Sequence, residues 1–292
     1  MLSKVVIPVA GLGTRVLPAS KAIPKEMLSV VDKPVIQHVV EEAVAAGFRQ
    51  IILVTRSGKS AIEDHFDSHY ELEAELDRKG KVALLSSVKE ILPAGVEVIS
   101  VRQPFAKGLG HAVLCAAGVT GDEDFAVMLP DMLIDNDRAG ADMQAMVERY
   151  RAGGAGQIMV EAVPQEQVER YGIVDCGGAA VKAGAGARVT GMVEKPARDE
   201  APSNLAIVGR YILPARVMGL LEDTQPGAGD EIQLTDALVR LIQEAPLEAY
   251  SMTGDIYDCG NKAGLLQANV ALGLKHPETA DALAAFLAKR RT

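Results

Sequence analysis

The chain has 292 residues, of which 48% are hydrophobic and 24% are charged, a balance that excludes intrinsically disordered and collagen-like proteins. Its 30 basic and 39 acidic side chains give a formal net charge of −9. This charge argues against a nucleic-acid partner, because polynucleotide-binding surfaces need a basic excess.

Short apolar segments alternate with amphipathic segments along the first half of the chain. The predicted strands are Lys4–Val9, Gln50–Thr55, Glu97–Val101, Phe125–Leu129 and Gln157–Val163. The predicted helices are Val35–Ala46, with Gly47 as C-cap, His111–Ala117 and Met143–Arg151. Apolar strands alternating with helices predict an α/β fold, in which a Rossmann-like, mostly parallel sheet of buried strands has helices on both faces.

The pattern changes after about residue 165, where shorter strands and Gly-rich turns follow. Strands are predicted over Arg188–Glu194 and Ala206–Ile212, and the last helix is predicted over Ala280–Lys289. No linker separates two independent units. We therefore expect one domain over residues 1–292, an α/β body with a smaller β insertion and a helical C-terminus.

The sequence has neither a membrane segment nor a disulfide pattern. No apolar run approaches the about 18 residues of a membrane span, and Lys4–Ala10 is too short for the core of a signal peptide. Cys115, Cys176 and Cys259 are odd in number and far apart, which predicts reduced, mostly buried thiols. We expect a cytoplasmic protein with no membrane partner.

The first strand leads into a glycine-rich loop, Ala10-Gly11-Leu12-Gly13-Thr14-Arg15. Glycines after a first strand let backbone N–H groups approach a phosphate or a flat base. The dinucleotide fingerprint fails because Val16 stands at its third glycine, which argues against a nicotinamide oxidoreductase. Gly58-Lys59-Ser60 could end a Walker loop, but Leu53 replaces the first glycine of that motif.

The first loop also carries cations, since it continues through Arg15, Lys21 and Lys25 in the run GLGTRVLPASKAIPKEM. An arginine fork and lysine point charges beside a glycine loop suit a polyphosphate. Pro18 and Pro24 stiffen the loop, so that less entropy is lost when a ligand binds. The loop is therefore predicted to bind a polyphosphate.

This run resembles the signature of the sugar-1-phosphate nucleotidyltransferases, and most closely that of their uridylyltransferase branch. Further blocks that resemble the family follow in family order from residue 4 to about 275: Gln103, Lys107–Ala112, Leu129–Asp131, Glu194–Pro196, Ser203–Tyr211, Gly227–Ala237 and Asp258–Lys262. Two positions differ from the family pattern. Ser20 stands where a threonine is expected, which keeps the hydroxyl, and Ser29 stands where a proline is usual.

The resemblance implies a nucleotide-diphospho-sugar transferase fold and an enzyme that makes UDP-glucose and pyrophosphate from UTP and glucose 1-phosphate. It implies Mg²⁺ as cofactor and a homodimer or homotetramer. It also implies a nucleotide-binding part over about residues 1–165, a sugar-binding part over 166–262 and C-terminal helices over 263–292.

The resemblance also assigns roles to individual residues. The catalytic cations are Arg15, Lys25 and Lys195; the nucleotide-binding residues are Ala10, Gly11, Gly13, Glu26, Gln103 and Gly108; the sugar-binding residues are Gly172 and Glu194; and the metal ligands are Asp131 and Asp258. The position of Asp131 supports its role independently. It follows the apolar strand Phe125–Leu129, and ligands of open α/β sheets bind at the carboxyl ends of strands.

Several alternatives remain open at this stage. A thymidylyltransferase, or an enzyme for another sugar, would differ by only a few hydrogen bonds. A catalytically silent nucleotide-sugar-binding subunit is disfavoured because Arg15, Lys25, Asp131 and Lys195 are all present.

His65 and His69 have the i, i+4 spacing of helical metal ligands but no third ligand, so we expect solvated side chains. His111 is expected to support its loop rather than act as a base.

Overall fold

The computed structural model describes residues 2–290, in which the elements are as follows. The strands are β1 (Lys4–Pro8), β2 (Ser29–Val30), β3 (Lys33–Pro34), β4 (Gln50–Thr55), β5 (Glu97–Arg102), β6 (Phe125–Met128), β7 (Met132–Asp135), β8 (Gly156–Ala162), β9 (Gly172–Asp175), β10 (Gly186–Arg188), β11 (Gly191–Glu194), β12 (Leu205–Leu213), β13 (Leu247–Ser251) and β14 (Asp255–Asp258). The helices are α1 (Val35–Ala45), α2 (Ser60–Phe66), α3 (Tyr70–Arg78), α4 (Val82–Lys89), α5 (Gly108–Leu114), α6 (Ala117–Thr120), α7 (Ala141–Gly153), α8 (Arg216–Glu222), α9 (Leu234–Leu241), α10 (Lys262–Gly273) and α11 (Ala280–Ala288).

A mixed, mostly parallel sheet runs through the middle of the molecule in the order β10-β13-β8-β12-β6-β1-β4-β5. Strand β12 is antiparallel to both β6 and β8, and β10 is antiparallel to β13; the other pairs along this order are parallel. Strands β9 and β11 form a small antiparallel extension that joins the sheet through β12. The predicted α/β class with flanking helices is confirmed.

Successive residues of a strand point to opposite faces of the sheet, so a strand that is apolar throughout puts apolar side chains on both faces. Helices cover both faces here. Val6 and Phe125 face the core under α5, α8 and α9, whereas Val5 and Ile7 face the core under α1 and α7. Both faces are therefore closed to water, as a parallel sheet requires. No helix in the described part of the chain is long and apolar enough to cross a membrane.

Several predicted elements differ from the structure. Strand β5 lies at the sheet edge and is largely exposed rather than buried. The predicted strand Arg188–Glu194 is two strands, because β10 pairs with β13 while β11 pairs with β9. The predicted helix His111–Ala117 begins earlier, at Gly108, and ends at Leu114.

The histidine and cysteine predictions have mixed outcomes. His65 lies on α2 and forms a hydrogen bond with Gln37 Oε1 at 3.0 Å, so its side chain is not simply solvated. His69 is exposed and precedes α3, where its ring nitrogen accepts from the Leu72 N–H and caps the helix. The two histidines therefore do not share one helix.

The predicted free thiols are confirmed, with Cys176 and Cys259 buried and Cys115 partly buried. The division of the domain into three parts and the oligomeric state stay predictions.

Asp142 connects three segments beside the sheet. Its carboxylate accepts hydrogen bonds from Asn136, the Tyr250 hydroxyl, the Thr253 backbone and hydroxyl, and the Gly254 N–H, over 2.8–3.1 Å. Burial by itself would raise the pKa of Asp142, but the hydrogen bonds to the ionised form prevail and lower it. The carboxylate thus stabilises the folded state while it is ionised.

We predict that Asp142→Asn lowers the free energy of unfolding by on the order of 1–3 kcal/mol, because several donors lose a charged acceptor. A lowered folded-state pKa means that the wild-type contribution is present above the unfolded pKa and is lost as pH falls through the folded pKa. Urea unfolding at pH 7 and at pH 3 measures this loss. The variant should differ from wild type mainly at pH 7, and exposed Asp137→Asn is the matched control. A variant as stable as wild type at pH 7 would contradict the account.

Candidate active site

The site forms at one edge of the sheet because β1, β4, β5 and β6 are parallel and their carboxyl ends meet there. Two adjoining cavities of about 440 Å³ and about 350 Å³ open at this edge, and Asp131 lines both. Every site residue predicted from the sequence lines one of them. The larger is lined by Ala10, Gly11, Gly13, Lys25, Glu26, Gln103 and Gly108, and the smaller by Arg15, Gly172, Glu194, Lys195 and Asp258.

The signature loop between β1 and β2 folds into three short 3₁₀ turns. Gly13 has a φ of 70°, a left-handed conformation that favours glycine, and a Cβ there would lie 3.0 Å from Lys25 Cβ. The Ser20 hydroxyl donates to the Gly13 carbonyl at 2.7 Å. Ser20 has a hydroxyl, as the expected threonine would. This hydroxyl helps to hold the turn that packs against Lys25.

Two cations of this loop converge on two carboxylates from distant parts of the chain. Lys25 Nζ contacts Asp131 Oδ2, and Arg15 lies 3.4 Å from Asp131 Oδ2 and 3.0 Å from Asp258 Oδ2. Burial by itself would raise the pKa of Asp131, but the charges of Lys25 and Arg15 outweigh it and lower the pKa. Asp131 is therefore ionised at neutral pH.

The two carboxylates also fit a divalent cation. A Cβ at Gly260 would come within 3.0 Å of oxygens of both Asp131 and Asp258, so these oxygens border one small space. Carboxylate oxygen is the donor that Mg²⁺ prefers. The described residues contain no cluster of three or more His, Cys, Asp or Glu side chains that could hold a metal alone. A metal held here would need further oxygens from substrate phosphates and water, which is the usual arrangement for Mg²⁺.

Gln103 and Gly108 lie together in the larger cavity. The Gln103 amide donates to the Gly108 carbonyl at 3.1 Å and lies 3.1 Å from His111 Nδ1. Burial and nearby Lys107 lower the pKa of His111, so the imidazole is neutral and can accept this bond. His111 lies on α5 rather than in a loop, and it supports Gln103 there.

The glycines after Gln103 have a packing role that the sequence interpretation missed. A Cβ at Gly108 would lie 2.9 Å from the Ile232 carbonyl, and the Gly110 N–H donates to the same carbonyl at 2.8 Å. These glycines allow α5 to begin against the Gly227–Ala237 block. The missing Cβ at Gly108 therefore serves this contact, while the residue also lines the cavity.

Glu26 forms a buried ion pair with Lys59, which the sequence interpretation did not predict. The resemblance assigns Glu26 to nucleotide binding, and in the structure its Oε2 accepts from Lys59 Nζ at 2.7 Å, with both side chains buried. Burial raises the pKa of Glu26, although Lys59 and Lys25 oppose this. Glu26 Oε1 has no hydrogen-bond partner. Lys59 lines neither cavity, but through this ion pair it supports Glu26, which lines the larger one.

The smaller cavity gathers residues from β9, β11 and α9. Gly172 pairs with Glu194 across β9 and β11, and a Cβ at Gly172 would lie 3.1 Å from Glu194 Oε2. Glu194 Oε2 accepts from the Thr235 hydroxyl at 2.8 Å, and Lys195 Nζ lies 3.3 Å from Glu194 Oε1. The Lys195 side chain is 59% exposed, so its charge is directed to the open side of this cavity.

Sequence reasoning missed polar side chains of the cavity walls, among them Arg56 and Thr235. Arg56 follows β4 and lines the larger cavity, where a cation directly after a predicted parallel strand was an available signal. Thr235 lines the smaller cavity and bonds Glu194. No local signal identifies Thr235, because its role depends on α9 packing beside β11.

Comparison with known proteins adds independent information. A sequence model described as "Nucleotidyl transferase" matches residues 4–274. The UTP–glucose-1-phosphate uridylyltransferase of Haemophilus influenzae is 52% identical over 287 residues, which cover 97% of each chain.

Two solved structures are also similar to this one. A UTP-bound UGPase from Acinetobacter baumannii is 51% identical with a TM-score of 0.92, covering 98% of this chain and 99% of the other. A UDP-glucose pyrophosphorylase complexed with UDP-glucose is 39% identical with a TM-score of 0.84, covering 94% and 100%.

We predict that Lys59→Met lowers the free energy of unfolding by about 3–5 kcal/mol, because it leaves the buried Glu26 without its main counter-charge. Burial would then raise the pKa of Glu26 further, so the loss should grow as pH rises above the unfolded-state pKa of this carboxyl and level off above its folded-state pKa. Chemical unfolding between pH 5 and pH 8 measures both effects. The double variant Lys59→Met/Glu26→Met should recover most of the stability. A loss below about 1 kcal/mol would contradict a buried pair, since that is the range of exposed pairs.

Proposed function

The chain belongs to the nucleotidyl transferase family, and we propose that it transfers the uridylyl group of UTP to glucose 1-phosphate, which gives UDP-glucose and pyrophosphate. One observation carries the proposal. Arg15 and Lys25 meet Asp131 at the junction of two cavities, one lined by the glycine loop and the other by Glu194 and Lys195. Such a junction suits two phosphorylated substrates that react where they meet.

The nucleotide belongs in the larger cavity. The glycine loop lets its backbone approach a base and a triphosphate, and Gln103 lies at the end of β5 in the same wall. The Gln103 NH₂ group is engaged by Gly108 and His111, which leaves the amide oxygen free to accept from the uracil N3–H. Arg15 and Lys25 would exchange their carboxylate contacts for triphosphate oxygens.

Glucose 1-phosphate belongs in the smaller cavity. Glu194 accepts hydrogen bonds from sugar hydroxyls, and Gly172 allows the ring to approach the backbone. Lys195 neutralises the attacking phosphate at the open side of the cavity. This arrangement brings a negatively charged nucleophile to the triphosphate, where repulsion would otherwise keep the two substrates apart.

The reaction needs positioning more than proton transfer. A phosphate oxygen of glucose 1-phosphate forms a bond to the α-phosphorus of UTP, while the bond to the bridging oxygen breaks and its electron pair leaves with pyrophosphate. The nucleophile is already an anion, so neither a general base nor a covalent enzyme intermediate is required. The protein holds the two groups in line and offsets the charge that develops.

Asp131 and Asp258 would hold Mg²⁺, which would supply charge neutralisation at the phosphate oxygens. The carboxylates hold their position through neighbouring groups. Asp258 Oδ1 accepts from the Gly260 N–H at 2.9 Å, and Cys259 N donates to the Asp131 carbonyl at 2.8 Å. The turn Asp258–Gly260 therefore joins the two proposed ligands directly.

Pyrophosphate release from the purified protein tests the proposal. Release should require UTP, glucose 1-phosphate and Mg²⁺ together, and omitting any one should abolish it. UTP, dTTP and GTP run in parallel separate a uridylyltransferase from a thymidylyltransferase, and a panel of sugar 1-phosphates does the same for the second substrate. No release from folded, UTP-binding protein with any sugar phosphate would favour a silent binding subunit.

We predict that Lys195→Met lowers kcat by about 10²–10³-fold, because the attacking phosphate loses its counter-charge while the side-chain stem is retained. The free energy of unfolding should be nearly unchanged, since Lys195 is mostly exposed. Exposed Lys182→Met is the matched control and should keep wild-type turnover. Wild-type kcat in the Lys195 variant would remove this residue from the mechanism.

We predict that Gly260→Ala abolishes most turnover at little cost in stability. The new methyl group would lie 2.5 Å from an Arg15 nitrogen and 2.9 Å from Asp258 Oδ1, and it would also contact Asp131 Oδ2. All three atoms are ends of side chains, which can move aside without unfolding the protein, but the metal and phosphate site is then distorted. Gly118→Ala, which meets nothing within 4 Å, is the control. Normal kcat in Gly260→Ala would contradict the site geometry.

A further inference from the structure

Arg210 takes no direct part in the proposed reaction, yet its side chain is the largest fully buried one among residues 2–290. Its guanidinium donates two hydrogen bonds to Glu42 of α1, from Nε to Oε1 at 2.9 Å and from Nη2 to Oε2 at 2.7 Å. A buried ion pair is weak evidence for stability, because well-packed apolar side chains often stabilise as much. The pair therefore needs another explanation.

Two further N–H groups of the Arg210 guanidinium donate to the backbone of the segment that carries Asp131. Nη1 donates to the Leu129 carbonyl at 2.9 Å, and Nη2 donates to the Met132 carbonyl at 2.6 Å. These two carbonyls stand on either side of Pro130 and Asp131 in the sequence. One rigid guanidinium thus spans the turn between β6 and β7.

The backbone of β12 is shaped to bring Arg210 to this turn. Ile207 pairs with Val160 but Tyr211 pairs with Ile158, so β12 carries two more residues than β8 between these pairs and bulges there. Gly209 lies in the bulge with a φ of 82°, and a Cβ on it would lie 2.6 Å from Leu129 Cδ1. Bulges redirect side chains, often beside active sites.

We propose that Arg210, held by Glu42, is a positioning residue that fixes the Leu129–Met132 turn so that the Asp131 carboxylate faces Arg15, Lys25 and the metal. The inference rests on the proposed function, because Asp131 matters only if it acts on the triphosphate. Arg210 itself touches no substrate, and its whole effect passes through the backbone on either side of Asp131.

The chemistry of the turn favours arginine over other residues. Pro130 has no N–H, and the Leu129 N–H already donates to the Gly209 carbonyl at 2.8 Å. The Leu129 and Met132 carbonyls both accept hydrogen bonds from Arg210. The planar guanidinium supplies these two donors in a fixed geometry and two more for Glu42. A lysine could keep the charge beside Glu42 but could not hold both carbonyls in one plane.

The test compares Arg210→Met and Arg210→Lys with Asp142→Asn, which disturbs a buried polar network away from Asp131. We expect both Arg210 variants to lose about 10²-fold in kcat, the effect of a misplacement of about 1 Å, while KM for glucose 1-phosphate is unchanged. Mn²⁺ binding to the UTP complex, followed by electron paramagnetic resonance, should weaken in both variants. Asp142→Asn should lose stability only.

A coupling measurement separates positioning from general structure. If Arg210 acts through Asp131, Arg210→Lys added to Asp131→Asn should weaken Mn²⁺ binding no further, whereas independent effects would add. Wild-type kcat and Mn²⁺ binding in folded Arg210→Lys would overturn the inference. So would failure of both Arg210 variants and of the milder Glu42→Gln to fold, since the pair would then serve only stability.

The outcomes also separate this inference from the proposed function. If the wild-type protein releases no pyrophosphate from UTP and glucose 1-phosphate, the proposed function fails. If the wild type is active and the Arg210 variants match Asp142→Asn in kcat and Mn²⁺ binding, only the role of Arg210 fails.

Discussion

The site depends on one carboxylate, Asp131, which is held between two cations at the end of a buried strand. Lys25 and Arg15 both reach it from the signature loop, and their charges overcome the cost of burying it. In the proposed reaction, phosphate oxygens would replace the carboxylate at the two cations, and the carboxylate would hold a divalent metal. The charges that hold Asp131 in this structure are therefore the ones that the proposed reaction would use.

The fold brings distant segments to this point for reasons of packing. Parallel β1, β4, β5 and β6 direct their loops to one edge, while antiparallel β12 passes between β6 and β8 and supplies Arg210 beneath the Asp131 turn. Strand β14 pairs with β7 and brings Asp258 beside Asp131. The geometry of the candidate site thus relies on strand pairing, and sites supported by strands are more precise than sites on loops alone.

The sequence predicted what is encoded locally. The cations of the signature loop lie within one run, and Asp131 follows a clear apolar strand, so both could be singled out from the sequence. The structure brings them together, and their chemical roles stay predictions. Contacts between distant segments were not predictable. Lys59 was set aside because Leu53 stands at the first glycine of the Walker motif, and its actual partner Glu26 is 33 positions away. Helix α5 begins at Gly108 rather than at the predicted His111, and the lack of a Cβ at Gly108 and Gly110 lets this first turn pack on Ile232. The strand order, with β12 between β6 and β8, has no signature in any single segment.

The central claim, direct transfer of the uridylyl group to a sugar phosphate, is tested most directly by following oxygen atoms. Glucose 1-phosphate labelled with ¹⁸O at its non-bridging phosphate oxygens would be incubated with UTP and Mg²⁺, and the products examined by ³¹P nuclear magnetic resonance. The account predicts label in the oxygen that joins the two phosphorus atoms of UDP-glucose, and none in pyrophosphate. Label in pyrophosphate, or a joining oxygen that comes from UTP, would contradict it.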